Sequence, residues 1–213
     1  SQMKHLVTEK TLKSCDNDKS RAIIYELAAQ RIMNFQPDGY QSFDMLRGEK
    51  EEVLAKDLYA EHYGPVKDCG FITNNRLGFV IGMSPDGLVG DDGIIEVKSR
   101  AAKFQVQTII EGTIPSEFRA QIEGGFLVTE RKWTDFLSYS NGMHMLPIRC
   151  LPTPEWQQAL AEACKAAEAK IVAIVDDYKT KVEKLYKAPF VDVMAELNGD
   201  IKPSDPVRYL MAG

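Results

Sequence analysis

The sequence predicts a mixed α/β fold in which helices flank a central mixed β-sheet and a long helix follows it. Three observations carry that prediction. Apolar residues recur at helical spacing in the early part of the chain and again near its C-terminus. The middle consists of short β-branched runs broken by Gly, Asn and Asp. The order of these segments is helices, strands, helix, strands, helix. The 213 residues suffice for one domain with a sizeable core. It is expected to span 1–213, with the core at about 20–150 and the last helix and tail at 153–213.

Ser20–Met33 reads as the first helix, with Ile23, Ile24, Leu27, Ala28 and Ile32 along one stripe. Gln36-Pro37-Asp38-Gly39 is a loop. A second helix is expected from near Ser42 to about Tyr63, with Met45, Val53, Leu54 and Leu58 inward and Gly64-Pro65 ending it. Gly70–Thr73, Leu77–Met83, Gly87–Val89 and Ile94–Lys98 read as strands, with turns at Asn74-Asn75 and Gly90-Asp91-Asp92-Gly93. Ala101–Glu111 and Ser116–Val128 are helical around a break at Gly112–Pro115, and Trp133–Tyr139 pairs with Met145–Cys150 across Ser140-Asn141-Gly142. Thr153 caps the long helix, with Pro154 and Glu155 in its first turn. Its stripe runs from Trp156 through Leu160, Ala167, Ile171 and Tyr178 to Leu185, and Pro189 stops it. Asn198 to Gly213 is loop-like.

At 44% hydrophobic and 27% charged, the composition is that of a soluble globular protein. The longest apolar run, around Leu77–Met83, suits a strand rather than a membrane span. Lys4, His5, Lys10 and Lys13 punctuate the start, so no export signal and a cytoplasmic location are expected. Cys15, Cys69, Cys150 and Cys164 lie far apart without a C-x-x-C, which suits reduced thiols better than a zinc knuckle. There is no Gly-x-Gly-x-x-Gly and no phosphate-binding loop motif. The net charge of −5 counts mildly against nucleic acid. A local basic surface can still grip phosphates, and Lys98, Arg100, Lys103, Arg119, Arg131 and Lys132 are its candidates.

Chemistry concentrates at Ser84-Pro85-Asp86-Gly87 and Glu96-Val97-Lys98. Residues two apart on a strand share a face, so Glu96 and Lys98 point one way while Ile95 and Val97 point into the core. A hairpin between the segments brings Asp86 beside Glu96. Two adjacent carboxylates are costly unless a cation lies between them. Mg²⁺ accepts one or two carboxylates and completes its shell with water and phosphate oxygens, and the Val97 carbonyl is a further donor. Mn²⁺ is a possible substitute. Lys98 can orient or deprotonate an attacking water and steady charge at a phosphodiester.

Ser84-Pro85-Asp86-Gly87-Leu88 with Glu96-Val97-Lys98 resembles the PD-(D/E)xK nuclease signature, and with it the restriction-endonuclease-like core. More narrowly it is similar to the phage lambda exonuclease and YqaJ-type viral recombinase family. The stretch from Arg119-Ala120-Gln121 to Arg131-Lys132-Trp133 resembles that family's glutamine-bearing helix and the strand after it. Gly48-Glu49-Lys50-Glu51-Glu52 is similar to its helix with a glycine and a glutamate four residues later. The resemblance implies that Asp86, Glu96 and the Val97 carbonyl hold Mg²⁺ and that Lys98 is the catalytic lysine. Glu52 would reach a second metal or the attacking water, with Glu49 and Glu51 as competitors, and Gln121 would orient the site or touch substrate. It further implies that Arg21 grips a terminal phosphate at the start of the first helix and that Met45 is an apolar wedge at the duplex end. Where the family carries small residues after that arginine, this chain reads Ala22-Ile23-Ile24-Tyr25.

The implied activity is a Mg²⁺-dependent 5′→3′ exonuclease on linear duplex DNA, leaving a 3′ single strand for a phage-type annealing protein. The implied assembly is a homotrimeric ring around the DNA. The alternatives are a nuclease of the Cas4 or RecB type, whose iron–sulfur members need a cysteine triplet not evident here, and a nuclease-fold DNA-binding module without cleavage.

Overall fold

A computed structural model of the chain describes residues 2–35, 42–189 and 191. The loop expected at 36–39 and the tail expected at 198–213 lie outside these described residues. Helix α1 (Asp18–Met33) starts at an Asn17 cap, where Asn17 and Ser20 satisfy each other's backbone N–H groups. Helix α2 (Phe43–His62) starts at Ser42, whose side chain accepts from the Met45 N–H. Strands β1 (Ile72–Asn74) and β2 (Ile81–Met83) form a separate two-stranded antiparallel sheet. Strands β3 (Gly87–Val89), β4 (Gly93–Ser99), β5 (Trp133–Tyr139) and β6 (Leu146–Cys150) form the central sheet in that order. Its β4–β5 pair is parallel and the other two pairs are antiparallel, so the sheet is mixed. Helices α3 (Ala102–Glu111) and α4 (Arg119–Thr129) make the crossover that a parallel pair requires. Helix α5 (Pro154–Val182) closes the described fold.

The two faces of β4 are covered by different helices. Ile95 and Val97 pack with Ala55 and Tyr59 of α2 and Leu137 of β5. Phe136 packs with Ile122 and Phe126 of α4 on the opposite face. Removing each such large side chain from water contributes about 1.5–3 kcal/mol. α4 approaches the sheet closely at Gly125, where a Cβ would stand 3.2 Å from Ile94. α5 packs behind α4 through Trp156, Leu160 and Ala163, and α1 packs on α5 through Ile24 and Ala28. Gly90 turns the β3–β4 hairpin at φ +52°, where a side chain would be strained.

The inward face of α2 differs from the expectation. Met45, Val53 and Leu54 are exposed, Leu58 is partly buried, and the buried positions are Glu51, Ala55 and Tyr59. Polar partners make this face possible: the Tyr59 hydroxyl donates to Asp135 Oδ2 at 2.6 Å, and Glu51 accepts from Ser99 Oγ at 2.7 Å. α5 also ends earlier than expected, at Val182, with Tyr178 and Leu185 exposed. Thr153 holds the cap position, yet its hydroxyl accepts from Arg119 rather than from the helix. The four cysteines are free thiols. No described helix is long and apolar enough to cross a membrane.

Candidate active site

The site forms where β3 stops and β4 continues. Gly87 pairs with Ile95, so one step further along the antiparallel register Asp86 lies opposite Glu96. Pro85, which follows in that register, has no N–H to give the Val97 carbonyl, so that carbonyl gains no ladder bond from it. The Val97 N–H donates to Asp86 Oδ2 at 2.6 Å, so a carboxylate oxygen is its acceptor where the β3 ladder has ended. In an antiparallel ladder a residue's N–H and C=O face the same edge, so the Val97 carbonyl faces this edge too.

Glu96 lies on the face of β4 opposite Ile95 and Val97 and is almost fully buried, at 3% exposure. Its Oε1 accepts from Lys98 Nζ at 2.5 Å and from Gln121 Nε2, one turn into α4. The hairpin and α4 therefore bring Asp86, Glu96, Lys98 and Gln121 together. Burial first and the Glu96 charge second push the Asp86 carboxyl up to about 7, against the lowering pull of the Val97 N–H. The Glu52 charge also raises it, to a lesser degree. Glu52 is paired with Lys56 at 3.3 Å, whereas its neighbour Glu51 is turned beneath the strand to Ser99. A cavity of about 550 Å³ adjoins the site and is lined in part by Ser84, Gln121, Gly124 and Met83.

Residues 7–132 match the YqaJ-like viral recombinase domain. The chain belongs to that family. This YqaJ-like protein is also similar to the alkaline exonuclease LHK-Exo from Laribacter hongkongensis, with 25% identity over 87% of this chain and 96% of that one, at a TM-score of 0.73. The structure of LHK-Exo in complex with dAMP gives 26% identity, 86% and 93% coverage and a TM-score of 0.75. A phage-related exonuclease from Haemophilus somnus 129PT, at 10% identity, 83% and 94% coverage and a TM-score of 0.61, shares the fold. No curated protein matches the chain. The central mixed sheet with helices on both faces is thus the PD-(D/E)xK-type fold of these exonucleases.

Other expected site residues of this YqaJ-like protein lie apart from the carboxylate pair. Arg21 sits in the first turns of α1, but its guanidinium is held by Asp16 at 3.0 Å and Asp18 at 2.6 Å. A phosphate arriving there would compete with two carboxylates. Met45 is half exposed near the start of α2, beside the exposed Phe43 and Leu46. Arg100 is turned inward: its side chain is only 10% exposed, and it pairs with Glu117 at 2.8 Å. Three further basic candidates are likewise committed, while Lys103 is exposed and contacts the Phe104 ring. Arg119 pairs with Glu123, Lys132 pairs with Asp92, and Arg131 donates to the Gly90 and Gly93 carbonyls.

Lys56 and Phe118 were not singled out in the sequence. Lys56 stands one turn after Glu52 on α2, and Phe118 stands three residues before Gln121, so helical spacing from the motif residues was the available signal.

The donor set fits a hard, partly hydrated cation. Lys98 and Gln121 engage one oxygen of Glu96, and Val97 engages one oxygen of Asp86. The second oxygen of each carboxylate takes no hydrogen bond among the described residues. Among the described residues no group of three or more His, Cys, Asp or Glu side chains could hold a metal by itself. Two carboxylates and a carbonyl are a Mg²⁺ set rather than a closed zinc set.

Proposed function

We propose that this chain is a Mg²⁺-dependent exonuclease that degrades one strand of linear duplex DNA from its 5′ end. It releases 5′-mononucleotides and leaves a 3′ single strand for recombination by annealing. The observation that carries this reading is the meeting of Asp86, Glu96, Lys98 and Gln121 at the open end of β3, in a chain of the YqaJ-like family. Family membership supports the coarser part, a nuclease acting on DNA. The likeness to LHK-Exo supports exonuclease action in particular.

Asp86, Glu96 and the Val97 carbonyl would hold the Mg²⁺, with Mn²⁺ as a substitute. When bound, the cation supplies positive charge to the scissile phosphate. The Lys98 ammonium, tethered to Glu96, orients the attacking water by donating to it, while the water's proton passes to solvent and the leaving O3′ takes one up. Gln121 fixes the Glu96 carboxylate that Lys98 leans on. Glu52 adds negative charge near Asp86 and is the candidate for a second cation or the water. The water oxygen bonds to phosphorus and the P–O3′ bond breaks. The released nucleotide gains a 3′-hydroxyl and the shortened strand a new 5′-phosphate. The cavity beside Ser84 and Gln121, about 550 Å³, falls in the size range of small-ligand sites and can take a terminal nucleotide.

The chain is read as one nuclease domain that works as a homo-oligomer, a trimeric ring, handing its product to a single-strand annealing protein. The exposed apolar residues Phe43, Met45, Leu46, Val53 and Leu54 of α2 support a surface for self-association or for the duplex end. A duplex closed by a hairpin at one end, labelled at either terminus of the open end, tests the polarity. The 5′ label is expected to leave first, as a mononucleotide, while the 3′ label stays on a long strand. Early release of the 3′ label contradicts the proposed direction.

A further inference from the structure

We infer that Phe118 is a positioning residue for Lys98: its ring forms a platform that holds the ammonium in place. The inference rests on reading Lys98 as the catalytic lysine. Glu96, Lys98 and Arg100 alternate along one face of β4 and its extension. The start of α4 and the turn before it (Ser116–Phe118) answer them in reverse order. Gln121 donates to Glu96, the Phe118 ring lies 5.6 Å from Lys98 Nζ, and Glu117 accepts from Arg100 at 2.8 Å.

The Phe118 ring is itself pinned. Phe136 packs against it with ring centroids 5.4 Å apart, inside the core cluster of α4 and β5. Arg100 lies 5.1 Å from the same ring and 5.2 Å from the Phe104 ring. Nine-tenths of the Arg100 side chain is buried, and its Nε has no hydrogen-bond partner. Leaving that N–H unmet is unfavourable, so the position is held by the two rings and Glu117 rather than by Nε. Glu117 also neutralises a cation that would otherwise face Lys98 across one ring.

The electrostatics favour this arrangement. An ammonium within about 6 Å of a ring centroid is drawn to the negative face of the ring. Lysine has a long flexible stem, and a single carboxylate contact leaves the ammonium free to swing around it. A second anchor, from a ring packed on Phe136, restricts that swing and keeps the ammonium beside the carboxylates. Small displacements of a catalytic group lower turnover far more than they lower binding.

The test uses the full chain with Phe118→Leu, Phe118→Met and Phe118→Tyr. In metal-free protein, acetylation of Lys98 by acetic anhydride is followed by peptide mass spectrometry, with the exposed Lys170 as internal reference. Leucine and methionine keep an apolar side chain but remove the ring. They are expected to raise the Lys98 rate at least threefold, and tyrosine to keep it near that of the parent. With Mg²⁺ and linear duplex, kcat is expected to fall about tenfold for the two aliphatic variants, with KM within twofold and tyrosine restoring turnover. Should Phe118→Leu fail to fold, the methionine and tyrosine pair decides. Unchanged Lys98 labelling in the aliphatic variants overturns the platform, and raised labelling with unchanged kcat overturns its role in turnover. Labelling needs no cleavage, so a parent protein inactive on DNA would sink the nuclease reading while leaving the platform to be judged on labelling.

Discussion

Asp86 is the most electrostatically loaded residue of the site. Burial, Glu96 and Glu52 all oppose its ionisation, and its carboxyl titrates near 7 in the metal-free fold. The sign of the consequence follows from linkage. A carboxyl held above its unfolded value binds its proton better in the native state than in the unfolded chain. The stability this adds is full below about pH 4, where both states are protonated, and is lost as pH rises through about 7. Metal-free protein is therefore expected to lose melting temperature between pH 5 and 8 in excess of Asp86→Asn, and millimolar Mg²⁺ to restore more of it at pH 8 than at pH 5. Calorimetry in EDTA and in Mg²⁺ measures both. Parallel pH profiles for parent and variant would contradict the assignment. The pairing of Asp86 with Glu96 was readable from the sequence because one short hairpin sets it. The committed state of Arg21 and Arg100 was less readable. The partners of Arg21 are the nearby Asp16 and Asp18, but which way a surface arginine folds is a tertiary matter. Glu117 comes from another element altogether.

At the scale of elements, α2 carries Glu52 and is fastened to the sheet by polar contacts. Tyr59 donates to the buried Asp135, which Arg149 also engages, and Arg149 lies 3.7 Å over the Trp133 ring. Burial and the Asp135 charge push the Tyr59 phenol well up, so it stays a donor across the working pH range. Tyr59→Phe removes one buried hydrogen bond and is expected to lower stability by about 1–2 kcal/mol, read as a fall in urea midpoint with an unchanged slope. An unchanged midpoint would show that the hydroxyl does not help hold α2. This helix also marks the limit of pattern reading. Its extent followed from local sequence, but apolar spacing pointed to Met45, Val53 and Leu54, while the sheet takes the small Ala55, the amphipathic Tyr59 and the acidic Glu51. Their burial depends on Asp135 and Ser99, which no local period reveals. By contrast β5, whose flanks are a turn and a helix end, has the same bounds in sequence and structure.

At the scale of the whole molecule, mixed topology follows from one decision. Two helices intervene between β4 and β5, so those strands run parallel while the hairpins on either side run antiparallel. This leaves β4 interior, with a different helix on each face and the Glu96–Lys98 row turned toward α4. The net charge of −5 and the internal pairing of Arg100, Arg119 and Lys132 mean that no broad free basic face is presented by these residues. On the proposed reading, grip on DNA comes from the site, the Mg²⁺ it would hold and the assembly, which suits action at ends. The most direct test compares linear and covalently closed circular duplex of the same sequence in Mg²⁺, for the parent chain and for Lys98→Ala. The expected result is digestion of the linear duplex alone, lost by a factor of at least about a hundred in Lys98→Ala with its fold intact. Digestion of the circle, or a Lys98→Ala protein as active as the parent, would contradict an end-dependent nuclease built on Asp86, Glu96 and Lys98.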